Sequence, residues 1–226
     1  MPAPDDTPPD PAPPDPVRPD PAAAALVDTN PDGGPDAVMT PGRLEAFSDG
    51  VIAIAITIMV LELDVPDEAT LDALRPLVPV FLGYVLSFVY LGIYWNNHHH
   101  LLKRTTEVTG GILWANLHLL FWLSLFPFAT AWVGQNDFAT TPVAVYGVVL
   151  LCAAIAYFIL STTIVHHEGR DSALARALGR DRKGKVSVVL CAAAVGLAFV
   201  SPWIAVAIYV LVALMWLVPD RRLERR

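Results

Sequence analysis

Charge is scarce in this sequence: Asp, Glu, Lys and Arg make up 16% of its 226 residues, against 54% hydrophobic. So little charge excludes an ordinary soluble globular domain and places a membrane protein first. Cysteine is scarcer still. The two present, Cys152 and Cys191, each sit inside an apolar run, which excludes a disulfide pair and a cysteine metal site. No glycine-rich phosphate loop occurs, and no serine, cysteine or histidine arrangement of nucleophile and base. The chain is therefore read as no enzyme, with no cofactor and no nucleic-acid partner.

Large apolar side chains run short in one place, residues 1–40. That segment holds twelve of the 20 prolines and eight aspartates against the single base Arg18, and so carries the whole net charge of −7. It cannot bury enough surface to offset the entropy of ordering, and reads as a disordered acidic cytoplasmic tail with polyproline-like stretches. It has no basic start followed by an apolar stretch, the pattern of a signal peptide.

Residues 41–226 read as one all-α, polytopic membrane domain. A bilayer core of about 30 Å takes roughly 20 apolar residues as a helix. Four such runs are plain, Leu44–Leu63, Pro76–Leu102, Ile112–Val133 and Thr141–Val165. The last run, Val186–Val218, would be about 50 Å long as one helix, well over the core thickness. Ser201-Pro202 lies near its middle, and proline removes a donor and disfavours helix in the residue before it. Two short helices, 186–200 and 202–218, turning as a hairpin, bring the count to six spans.

Basic residues give the orientation. With six spans, fourteen of the 15 Lys and Arg fall on the side of the termini, leaving only Arg75 opposite. By the positive-inside rule the termini are cytoplasmic. The outer loop from Asp64 to Asp72 is acidic.

Polar residues inside the spans are few. Ser48 and Asp49 sit near the cytoplasmic end of the first helix, where the helix dipole and Arg43 favour a carboxylate. The second helix ends at the same depth with Tyr94-Trp95-Asn96-Asn97-His98-His99-His100. Successive residues point about 100° apart on a helix, so the three histidines cannot share one metal. A hydrogen-bonded cluster is expected instead, His98 or His99 with Asn96 meeting Ser48 and Asp49. His118 reads as a satisfied core histidine, and His166 and His167 as interfacial. Ile54, Thr57, Ile58 and Leu61 share one stripe of the first helix, which periodicity alone gives as ordinary packing.

The run Arg43-Leu44-Glu45-Ala46-Phe47-Ser48-Asp49-Gly50 resembles the RxxxFSD signature of the transmembrane protein 175 family in its prokaryotic form. The Trp95-to-His99 end, the six spans and the ending Trp216…Pro219-Asp220-Arg221-Arg222 resemble it too. The likeness covers about residues 41–226. It implies a potassium-selective leak channel in the bacterial plasma membrane, a homotetramer with four first helices lining the pore. It further implies that Ile54 forms the narrowest ring, Thr57 contributes to potassium preference and Leu61 forms a second aliphatic ring, with Ile58 between. Arg43, Phe47, Ser48, Asp49, Asn96, His98 and His99 would then anchor the helix. The chain lacks a TVGYG-like filter loop and a row of voltage-sensing arginines, so selectivity would reside on first-helix side chains. A proton- or ion-coupled transporter and a membrane scaffold protein stand as the alternatives.

Overall fold

The computed structural model describes residues 39–169 and 182–217. The acidic tail, most of the basic connection from Arg170 to Lys185 and the C-terminal arginines lie outside the described residues. Within them every element is helical.

Helix α1 spans Pro41–Leu61 and starts cleanly. The Thr40 hydroxyl accepts from the Arg43 amide at 3.4 Å, and Pro41 takes the first position, where its missing N–H costs nothing. A 3₁₀ turn, Asp72–Leu77, leads into α2, Val78–Leu102. Then follow α3, Gly110–Ser124, with Thr109 as its cap, and α4, Phe126–Gln135. Helix α5, Thr140–Glu168, is the longest among the described residues, and α6, Arg182–Leu197, and α7, Pro202–Leu217, are the last elements described. Taking α3 and α4 as one rod gives six, of which four are long and apolar enough to cross a membrane.

The last two have 16 residues each, about 24 Å at the helical rise. They form a hairpin, with α6 ending at Leu197 and α7 starting on Pro202. The third rod departs from the expected single helix over Ile112–Val133. It breaks at Leu125, because Pro127 offers no N–H to the Leu123 carbonyl and its ring crowds that oxygen. The rod resumes as α4 and continues to Gln135.

Helix α5 is the hub, packing on α3, α4, α6 and α7, while α1 leans on α2, α3 and α4. Two glycines permit the closest crossings. A Cβ on Gly134 would lie 2.6 Å from the Val80 Cα, so glycine lets α4 meet α2 backbone to backbone. A Cβ on Gly147 would lie 1.9 Å from the Tyr209 hydroxyl, so α7 lays its tyrosine across α5. Tyr209 donates onward to the Val143 carbonyl at 3.3 Å, and Tyr90 of α2 donates to the Tyr209 carbonyl at 2.6 Å. These bonds hold the hairpin against the rods before it.

Candidate functional site

Helix α1 has two unlike faces. Leu44, Ser48, Ile52, Ala55 and Met59 recur at helical spacing and are buried against the bundle. On the opposite side Phe47, Ile54, Ile58 and Leu61 are 53%, 59%, 41% and 78% exposed. Thr57 belongs to this open face, and its hydroxyl donates to the Ile54 carbonyl at 3.0 Å. The bond consumes the hydroxyl's only hydrogen and leaves its oxygen lone pairs as acceptors.

The buried face becomes polar at the Arg43 end. Ser48, fully buried, donates to the Leu44 carbonyl at 2.8 Å and accepts from the Asn116 amide at 2.9 Å. The Asn116 side-chain oxygen meets His98 Nε2 at 2.7 Å, so that nitrogen carries a proton and donates. Three helices are thereby joined through two bonds and three buried side chains. Beside this chain Trp95 Nε1 donates to Asp49 at 3.0 Å, and His99 Nδ1 pairs with Glu45. The Trp95 and His99 rings stack, with centroids 6.1 Å apart.

The pairing follows from antiparallel geometry. Glu45 and Asp49 are four apart on α1, and His99 and Trp95 are four apart on α2, so a step forward on one helix matches a step back on the other. Ser48 and His98 lie within the same two turns and are bridged by Asn116.

Of the expected anchoring residues, Ser48, Asp49, His98 and His99 are brought together. Asn96 is not: it is exposed, and Asn116 of α3 holds the place expected of it. Arg43 is exposed as well, and the partner of Asp49 is Trp95. Phe47 lies on the open face, away from the network. His118 is exposed and accepts from Trp122 at 3.0 Å, one turn along α3, where a core histidine was expected. His167 faces Glu107 at 3.6 Å among exposed groups. Glu45, Trp95 and Asn116 complete the network and were not among the anchoring residues expected.

A second polar chain supports α1 farther along. Tyr146 donates to Ser87 at 2.9 Å, Ser87 to Thr130 at 2.6 Å, and Thr130 to the Phe126 carbonyl at 2.6 Å, using each hydroxyl hydrogen once. All three side chains are buried. The Met59 sulfur of α1 rests 3.8 Å from the Thr130 hydroxyl. Among the described residues no group of three or more His, Cys, Asp or Glu side chains is arranged to hold a metal.

The geometry has counterparts. The family model described as endosomal/lysosomal potassium channel TMEM175 matches residues 43–127, which hold α1, α2 and the network. A potassium channel of Chryseobacterium sp. (strain P1-3) is 54% identical over 83% of this chain and 97% of its own length. One of Streptomyces collinus is 34% identical over 77% of this chain and 90% of its own. A crystal structure described as a lysosomal potassium-selective channel TMEM175 homolog from Chamaesiphon minutus superposes with a TM-score of 0.70. It is 29% identical and covers 80% of this chain and 97% of that one.

Proposed function

The chain belongs to the TMEM175 family, a family of ion channels and not of enzymes, and from that membership we propose a potassium channel whose pore is lined by α1 from four subunits. The observation that carries the reading is the open face of α1, apolar from Ile54 to Leu61 apart from the Thr57 hydroxyl. Four such faces around one axis form a narrow tube.

Ile54 closes it. A ring of four isoleucines excludes water from the narrowest point, and an ion that must pass there sheds hydration at a high cost. Thr57, one turn outward, offers four hydroxyl oxygens to a partly dehydrated cation. Ile58 backs that ring, and Leu61 forms a second constriction one turn beyond. The exposed carboxylates Asp64, Asp67, Glu68 and Asp72 concentrate cations at the outer mouth. At the other end, the Ser48–Asn116–His98 chain and the Asp49 and Glu45 pairs hold α1 in position. This orientation, with termini in the cytoplasm of a bacterial-type cell, follows from the distribution of basic residues.

Cysteine reactivity tests the lining. In a chain with Cys152 and Cys191 replaced by serine, Leu61→Cys is treated with a water-soluble cationic thiol reagent while potassium flux is followed. Rapid block at Leu61, with no block at a Val189→Cys control on α6, supports the reading. Equal insensitivity at both positions in a conducting protein contradicts it.

A further inference from the structure

Helix α1 is held from behind at two places, by two different helices. Its inner half is tied to α3, where Asn116 donates to Ser48 at 2.9 Å. Its outer half rests on α4, where the Met59 sulfur lies 3.8 Å from the Thr130 hydroxyl oxygen. Met59 is 1% exposed and Thr130 3%.

The rod that carries both supports is broken between them. With α2 returning between them, α1 and α3 run the same way, so levels can be counted from each contact. Nine residues outward from Asn116 and Ser48 lie Leu125 and Thr57. Five residues inward from Thr130 and Met59 lie Leu125 and Ile54. The break at Leu125 is therefore level with the stretch from Ile54 to Thr57. Pro127 interrupts the helical ladder there, so α4 takes its own tilt and the outer support is not dictated by the inner one.

What Met59 rests on bears directly on the open face. Two residues are about 200° apart around a helix. Thr57 and Leu61 each stand two residues from Met59, so both point nearly opposite to it. A shift of α1 at Met59 is thus a shift of Thr57 and Leu61 along the same line. Thr130 has little room to give way. Its hydroxyl lies 2.6 Å from Ser87 and donates to the Phe126 carbonyl at 2.6 Å. Its methyl faces Gly83 of α2, where even a Cβ would lie 3.7 Å away.

We propose that Thr130 is a positioning residue for the outer part of the pore: through Met59 it sets how far Thr57 and Leu61 reach toward the axis, and with that the preference for potassium. The proposal rests on the pore reading above and adds to it a residue on α4 that no ion touches.

Potassium and sodium flux are compared in liposomes for the full-length wild type, Thr130→Ala, Thr130→Ser and Met59→Leu. Thr130→Ala leaves space behind Met59, so the Thr57 ring opens and the ratio of potassium to sodium flux should fall severalfold. Thr130→Ser keeps the hydroxyl against Met59 and should keep the wild-type ratio. Met59→Leu is shorter but similar in volume; it should lower the ratio without emptying the core, and it serves where Thr130→Ala does not fold. Leu160→Ala on α5, buried and outside the helices that α1 leans on, should lower the melting temperature and leave the ratio alone. A wild-type ratio in Met59→Leu, or in folded Thr130→Ala, overturns the proposal. So does an equal fall in Leu160→Ala, or a ratio as low in Thr130→Ser as in Thr130→Ala. Block of Leu61→Cys, measured with Thr130 intact, separates the two readings. If Leu61→Cys is blocked while the Thr130 and Met59 variants keep the ratio, the positioning role alone fails. If Leu61→Cys is insensitive, the pore reading fails and the positioning role with it.

Discussion

The buried and open faces of α1 are equally regular in sequence but are satisfied in different ways. The buried face fills its one polar position, Ser48, through Asn116 and packs its apolar ones to near-zero exposure, while Asp49 at its edge is held by Trp95. The open face has one hydroxyl, bonded back to its own helix, and otherwise bare aliphatic groups and the Phe47 ring. In a bilayer, exposed aliphatic surface is no anomaly, since lipid tails are as apolar as leucine. Apolarity therefore fails to tell a pore face from a lipid face. What α1 does show is asymmetry: the helix is pinned along one side, and that pinning fixes which residues its other side presents.

The sharpest way to test the pinning is to remove the bridge. Asn116→Leu removes one of the two bonds of Ser48, at about 1 kcal/mol, and leaves the buried His98 ring without a hydrogen-bond partner, at roughly 1–3 kcal/mol. Thermal unfolding in detergent should show a loss of about 3 kcal/mol, the largest of the substitutions compared here. A change near zero would mean that the network does not hold α1.

Next in size is a matched truncation. Ile52, 1% exposed, and Ile58, 41% exposed, are the same residue on opposite faces. Ile52→Ala opens a cavity inside the bundle and should cost about 2 kcal/mol, chiefly as lost packing, while Ile58→Ala should cost well under 1 kcal/mol in the detergent-solubilised subunit. Equal losses would erase the distinction between the faces.

Trp95→Phe keeps the ring beside His99 and deletes only the bond to Asp49, a partly exposed contact worth about 1 kcal/mol. The expected result is a small fall in melting temperature with potassium flux retained. Thr57→Val, close in shape and lacking the hydroxyl, should change stability by less than about 0.5 kcal/mol, as surface substitutions do. Its effect should appear in the ratio of potassium to sodium flux, which falls if Thr57 oxygens meet the ion.

Much of this arrangement is legible from residues alone. The 3.6-residue period separates Ser48 and Ile52 from Ile54 and Ile58, and Ser201-Pro202 marks the hairpin between α6 and α7. Other features follow from the same geometry yet were read differently. Arg43 and Asp49 are six residues apart, about 240° around a helix, so Arg43 points elsewhere; Asn96 is turned about 100° from Trp95. The spacing of Glu45 and Asp49 against Trp95 and His99 contains their pairing. Asn116 is another matter. It is 68 residues beyond Ser48 on a third helix, and only the packing of α3 against α1 brings it there. The break at Leu125 had its signal in Pro127, masked by an apolar run long enough to read as one helix.

The most direct measurement is potassium and sodium flux from liposomes containing the purified protein, for the wild type and for Ile54→Asn. Potassium-preferring flux that rises when the ring becomes polar is the predicted result, because water then wets the constriction. Absence of flux from both proteins, each well folded, would contradict a pore along α1 and favour a transporter or scaffold.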